Sequence, residues 1–135
     1  MTSPLSLVAR KARLGALRDV IDAGGGRMFF YQGSSLPATP ETATTDTLLC
    51  VLLLAAQSGV IGESGNIATL TLSVPRVGIV LATGVAGWVR LANGDGEGVL
   101  DLQVVKVPET APVVLSDTQL YSGGELQLLS CVIAE

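Results

Sequence analysis

The chain has 135 residues, of which 48% are hydrophobic and only 15% are charged, so it can bury one core and is not disordered. It contains no histidine and two widely spaced cysteines, which excludes imidazole-dependent catalysis and a zinc or disulfide framework. Residues 1–27 carry five basic and two acidic side chains (+3), whereas residues 28–135 carry three basic and ten acidic ones (−7). The acidic body and the 4% aromatic content argue against nucleic-acid binding and favour a protein partner for the basic end.

An amphipathic helix is predicted for residues 3–23, SPLSLVARKARLGALRDVIDA. Ser3 is the expected N-cap, Pro4 the first helical residue, and Gly24 the stop, with a bend expected near Gly15. Four basic residues lie mostly off the apolar stripe: Arg10, Lys11, Arg13 and Arg18. A transit peptide is the alternative for this basic start. We predict two parts of the chain. Residues 1–26 form a basic helix with a glycine stop, and residues 27–135 form a β-sandwich domain.

After the glycines at 24–26, the sequence consists of short strand-like runs separated by turn residues. Eight strands are predicted: Arg27–Gln32, Leu48–Ala55, Ile67–Ser73, Val77–Leu81, Val85–Ala92, Val99–Val107, Pro112–Leu115 and Glu125–Ala134. This spacing is typical of an antiparallel sandwich or barrel and not of strands alternating with crossover helices.

The apolar run from Leu48 to Ala56 shows no polar alternation and is too short to cross a membrane. We expect both faces of this strand to be covered, by the N-terminal helix or by a neighbouring subunit. The same expectation holds more weakly for 77–81 and 126–133. Three strands without a polar, solvent-facing side are many for an isolated small sandwich, which predicts self-association or docking on a larger assembly.

Two connecting segments are informative. Residues 34–47, SSLPATPETATTDT, form a long loop of the kind that is functional or mobile. Residues 93–98, NGDGEG, predict a hairpin connection. A calcium loop is the alternative, but its twelfth position is Val104, which cannot ligate.

Trp88 in VAGWVRL is either the large residue of a sandwich core or a ligand-stacking platform. Phe29, Phe30 and Tyr31 place aromatic rings on both faces of one strand, so we expect the helix or a partner to cover the face away from the core. Because Lys106 is the only lysine outside the basic end and no acid pair stands out, we expect no enzymatic activity.

The order of several motifs carries a family resemblance. The runs ARLGALRDVIDAGGG and FFYQGSSLPATPETATT, followed by an apolar strand and a later GWVR, resemble capsid cement (decoration) proteins of tailed bacteriophages, most closely those of Bordetella-type phages. The resemblance covers nearly the whole chain. The very apolar strand at 48–56 and the two cysteines depart from the pattern.

The resemblance implies a mainly β fold: a jelly-roll-like antiparallel β-sandwich with an N-terminal α-helix. It implies a structural protein of the virion, made in the host cytoplasm and bound on the capsid exterior, with no cofactor, metal, nucleic acid or membrane partner. The expected partners are the major capsid protein and a second copy, a dimer being favoured. The residues expected to contact them are Arg10, Lys11, Arg13, Arg18, Leu36, Pro37, Thr39, Pro40 and Thr45.

Two other functions remain open from the sequence. A phage tail or fibre attachment module would bind host surface glycan, with Trp88 or Tyr121 as the stacking platform. A hydrolase is the third alternative.

Overall fold

The computed structural model describes residues 5–55, 57–73 and 76–135. Within these ranges, one helix, α1 (Leu7–Asp22), precedes ten strands: β1 (Arg27–Gln32), β2 (Leu48–Leu53), β3 (Gly59–Ser64), β4 (Ile67–Leu72), β5 (Arg76–Ile79), β6 (Gly84–Ala92), β7 (Gly98–Lys106), β8 (Val113–Leu115), β9 (Gln119–Leu120) and β10 (Glu125–Ala134). The strand order is β2-β1-β6-β7-β8-β10-β4-β3, with β5 on β10 and β9 on β6.

The sheet is mixed because β7 and β8 run parallel, while the other described pairs are antiparallel. It curls into a half-barrel, and the chain is mainly β with one N-terminal helix. The predicted class, a β-sandwich with an N-terminal helix, is confirmed. Aliphatic and aromatic side chains from the strands and α1 share one core, which includes Met28, Phe30, Leu70, Val89, Leu91, Leu126 and Leu128.

The helix begins later than the sequence predicts. Ser6 is the N-cap, and its hydroxyl oxygen accepts a hydrogen bond from the Ala9 amide at 3.2 Å. Ser3 and Pro4, the predicted cap and first helical residue, lie outside the described residues. Both serines have the right chemistry, so sequence alone could not choose between them.

The body of α1 runs through Gly15 without a break, and the predicted bend there stays a prediction. Leu14 and Ile21 are buried against the sheet, where the helix packs on β3 and β4. Gly24 follows with φ +75°, a conformation that glycine adopts without a steric penalty, and the chain turns there as predicted.

Two strands were not predicted, β3 and β9. Gly59 and Gly62 interrupt the apolar pattern of β3, which hid it. Its pairing with β4 passes through the two residues Gly65 and Asn66, and Gly65 has φ +59°. A Gly-Asn pair between two short runs is a hairpin signal, so this turn chemistry could have revealed the strand.

A β-bulge explains part of the apolar run in β2. The register against β1 shifts between Phe30 and Tyr31, which makes Leu49 an extra residue in β2. A bulge of this kind interrupts the alternation of side chains, and both Leu49 and Cys50 are buried. The helix lies on other strands, and Leu53 at the end of β2 is 66% exposed. The helix therefore does not cover the outer face of β2, and cover by a neighbouring subunit stays a prediction.

The segments 77–81 and 126–133, for which the same cover is predicted more weakly, are covered on only one face within this chain. Both segments alternate: Leu126 and Leu128 are buried while Gln127 and Leu129 are exposed, and Ile79 and Leu81 flank buried Val80. These strands have an outer face that is apolar and nevertheless exposed.

The buried thiol of Cys131 makes the stability of the fold depend on pH in the alkaline range. Burial raises the pKa of its thiol from the ordinary 9.0 to about 12. Below pH 9 the thiol is neutral in both states, but above it the unfolded chain ionises first, so stability falls as the pH rises towards 12. We expect a loss of about 2 kcal/mol between pH 9 and about 10.5.

Urea unfolding at several alkaline pH values measures this loss. Cys131→Ala is the control, and its free energy of unfolding should fall less steeply with pH than that of the wild type. Parallel slopes for the two proteins would show that the thiol does not cause the decline.

Candidate functional site

The long loop at 34–47 lies across the outer face of β6. The indole Nε1 of Trp88 donates to Asp46 Oδ2 at 2.9 Å, and Arg90 Nη1 donates to the Thr42 carbonyl oxygen at 2.7 Å. Both β6 residues point away from the core and hold the loop by its backbone and one carboxylate. The outer aromatic face is therefore covered by this loop and not by the helix, which packs on β3 and β4.

Arg90 is held by a second partner. Its Nε and Nη2 donate to the two carboxylate oxygens of Asp101 on β7, at 2.8 and 3.0 Å, and the two side chains are only 11% and 6% exposed. The hydrogen bond to Asp101 raises the pKa of Arg90, so the cation is permanent. The pair is bidentate and neutral overall.

Trp88 is 1% exposed and stacks on Tyr31, with ring centroids 4.5 Å apart. The Arg90 guanidinium carbon lies 5.3 Å from the indole centroid. Trp88 is buried as the core interpretation required, but it lies beneath the loop and not inside the half-barrel. It cannot serve as the exposed platform of a glycan site, whereas Tyr121 remains 65% exposed.

Beside this anchor is an open cleft of about 550 Å³. The residues that give it its chemistry are Phe29, Tyr31, Pro40, Glu41, Arg90 and Glu97. The cleft is bounded by β1, by the loop and by the turn between β6 and β7. We call it the loop cleft.

Two carboxylates of the loop cleft are not used in ion pairs within the described part of the chain. Glu41 comes from the loop, and Glu97 from the turn, where its Oε1 accepts a hydrogen bond from Asn93 Nδ2 at 3.0 Å. Tyr31 forms part of the floor, and burial is the main cause of its raised pKa, opposed by Arg90 and assisted by Asp101.

The turn at 93–98 connects β6 to β7 as the sequence predicts. Asn93 Oδ1 accepts hydrogen bonds from the amides of Asp95 and Glu97, both at 3.0 Å, so this oxygen stabilises the turn itself.

Within residues 5–55, 57–73 and 76–135, no three histidine, cysteine or acidic side chains are grouped as a metal site would require. No helix in those ranges is long and apolar enough to span a membrane.

The predicted basic residues of α1 are engaged by their own chain. Arg10 Nη1 donates to the carbonyl oxygens of Asn66 and Glu135 at 2.8 and 3.0 Å, which fixes the helix to the β3–β4 turn and the last residue. The ion pairs are Lys11 with Glu63 at 3.3 Å, Arg13 with Glu135 at 2.7 Å and Arg18 with Asp19 at 3.6 Å. Their role in partner binding stays a prediction.

The predicted loop residues lie elsewhere, over β1, β6 and β7. Leu36 is 47% exposed, Pro40 lines the loop cleft, and the hydroxyls of Thr39 and Thr42 are hydrogen-bonded at 2.9 Å. Pro37 is half-buried and Thr45 is exposed. The fold thus places the helix residues and the loop residues on different elements.

A second surface follows from the contact between β2 and the segment after β5. Cys50 forms an isolated bridge with Val80, and the Leu81 amide donates to the Leu49 carbonyl oxygen at 2.7 Å. A Cβ at Gly78 would meet Cys50 and Leu52 side chains, so this position of β5 faces inward.

The residues that alternate with these inward positions form an exposed aliphatic surface. Its members are between 55% and 66% exposed: Leu53, Val77, Ile79 and Leu81. We call this surface the apolar face. The sequence predicts apolar outer faces for both segments, and the structure shows which of their residues are exposed.

The chain matches no protein-family model, and neither the curated proteins nor the solved structures contain a significant match. Function therefore has to be argued from the loop cleft and the apolar face themselves.

Proposed function

We propose that this protein is a capsid cement (decoration) protein of a tailed bacteriophage, which associates with a second copy and binds across major capsid subunits on the outside of the head. The observation that carries the proposal is the apolar face. The motif order in residues 12–45 and 87–90 supports the same assignment by resemblance.

The apolar face has the character of an interface because its residues are adjacent. Cys50 bridges Val80, and a Cβ at Gly78 would meet the side chains of Cys50 and Leu52, so the two segments are neighbours and their exposed residues share one surface. Isolated exposed aliphatic residues are normal on protein surfaces, but a contiguous group marks an interaction site. Burying it contributes roughly 25 cal/mol per Å² of apolar area, the main driving force of association.

Charges beside the apolar face favour a second copy as one occupant. Arg27 on β1 pairs in register with Leu53, and Glu125 on β10 pairs with Ile79, so opposite charges flank opposite sides of the face. Both side chains are exposed. A two-fold axis through the face brings Arg27 of one copy towards Glu125 of the other, twice per dimer.

Attachment to a shell needs only modest contacts. A dimer presents every capsid-binding surface twice, and simultaneous engagement raises the overall affinity without any new contact. The exposed loop at 34–47 and α1 are the surfaces left for the shell when the apolar face is buried between copies.

The first test is the oligomeric state. Analytical ultracentrifugation at about 10 μM should give a dimer for the wild type, and Leu53→Asp with Ile79→Asp should raise the dimer dissociation constant at least about a hundredfold by placing charges in the interface. Val60→Asp is the matched control, since Val60 is 70% exposed on β3, away from the apolar face. Circular dichroism checks that all variants remain folded.

The second readout is co-sedimentation with shells assembled from the major capsid protein encoded in the same genome. The wild type should pellet with the shells and the double variant should bind more weakly. A wild-type protein that is monomeric at micromolar concentration and stays in the supernatant would overturn the proposal.

A further inference from the structure

We propose that the loop cleft binds the guanidinium group of an arginine carried by a partner polypeptide. The proposal does not depend on the cement function, since it rests on the cleft alone. The other candidate occupant is a neutral glycan, which the experiment below distinguishes.

The size and construction of the loop cleft suit a side chain. A volume of about 550 Å³ lies within the range of small-ligand sites, roughly 300–1,000 Å³. Its walls come from three separate segments, β1, the 34–47 loop and the 93–98 turn, and the loop is anchored through Trp88 and Arg90. The cleft is therefore formed before any ligand arrives.

The charges of the loop cleft select a cation. Glu41 and Glu97 bring two carboxylates from different walls. The lining cation, Arg90, already has its charge balanced by the bidentate bond to Asp101. The cleft thus has a net negative character that its own chain leaves unmatched in the described ion pairs.

The aromatic floor favours guanidinium over ammonium. Phe29 and Tyr31 are partly exposed in the cleft. A guanidinium is planar and weakly hydrated, so it stacks on aromatic rings and pairs with a carboxylate at its edge, whereas an ammonium keeps its water. The raised pKa of Tyr31 keeps its phenol neutral over the working pH range.

The chain itself provides a chemical precedent beside the cleft. Arg90 lies over the ring of Trp88 while its edge is paired with Asp101. The loop cleft presents the same two elements, an aromatic ring and a carboxylate, at the surface.

The test is a titration with N-acetyl-arginine amide, followed by amide NMR shifts and by the fluorescence of the single tryptophan. Saturable binding in the millimolar range is expected, with shifts at Phe29, Tyr31, Glu41 and Glu97. Glu41→Gln and Glu97→Gln should each weaken binding about two- to fivefold, the effect of one partly exposed ion pair. Glu109→Gln removes an exposed charge outside the cleft and should have no effect.

N-acetyl-citrulline amide has nearly the same shape without the charge and should not bind saturably. Equal binding of the citrulline compound, or unchanged arginine binding by the double variant Glu41→Gln/Glu97→Gln, would overturn the proposal. Saturable shifts at the same residues with maltotriose, retained in the double variant, would identify a glycan site instead.

Discussion

Replacing Arg90 with methionine is expected to lower the free energy of unfolding by about 3–5 kcal/mol, because it leaves Asp101 buried and charged without a partner. The carbonyl oxygen of Thr42 loses its donor at the same time. The loop at 34–47 should then detach from β6, which would be seen as a red shift of Trp88 fluorescence. Urea unfolding measures the loss of stability.

The double variant Arg90→Met/Asp101→Leu separates the two effects. Removing both charges leaves no unpaired carboxylate, so the double variant should be more stable than Arg90→Met alone. The loop should nevertheless remain displaced, since its backbone bond to Arg90 is still missing. If the double variant were no more stable than the single one, the cost of Arg90→Met would not come from the unpaired charge.

Replacing Gly87 with alanine is expected to cost about 3 kcal/mol, the upper range for forcing extra atoms into a packed site. The register between β1 and β6 shifts at Gln32, which leaves Gly87 as an extra residue in β6. A Cβ there would overlap the carbonyl oxygen of Gly33, where the loop begins. Because the obstacle is backbone, the strand and the loop must separate.

Gly15→Ala is the matched control for this substitution. Gly15 lies within α1 with no atom within 4 Å of a built Cβ, so alanine should raise stability by about 0.5–1 kcal/mol. Thermal unfolding of the two variants should therefore change in opposite directions. A Gly87→Ala protein as stable as the wild type would mean that the close approach of β6 to Gly33 does not constrain the loop.

Both substitutions act on the contact between the outer face of β6 and the loop at 34–47. This contact shapes the loop cleft. Arg90→Met and Gly87→Ala should therefore each weaken arginine binding, although neither substitution changes Glu41 or Glu97. The apolar face lies on β2 and β5, and its self-association should be retained wherever the variants stay folded.

The sequence indicates two parts of the loop cleft but does not predict the cleft itself. The three consecutive aromatic residues 29–31 required a cover on the outer face, and the long loop was predicted to be functional. In the sequence, Glu97 was singled out only as part of the calcium-loop pattern, which fails at its twelfth position. No sequence pattern pointed to Glu41. These acids converge because the turn and the loop meet above β1, which depends on contacts between residues about 50 positions apart.

What the sequence by itself determined was local: the mainly β class, the glycine stop after α1, the bounds of β1 and β10, and the turn at 93–98. These features follow from side-chain periodicity and from residues with special backbone preferences, which act over a few positions. Only the tertiary structure decided which faces are covered. The bulge at Leu49, the burial of Trp88 beneath the loop and the exposure of Leu53 depend on distant segments, because packing is set by what lies across the sheet and not by the strand's own neighbours.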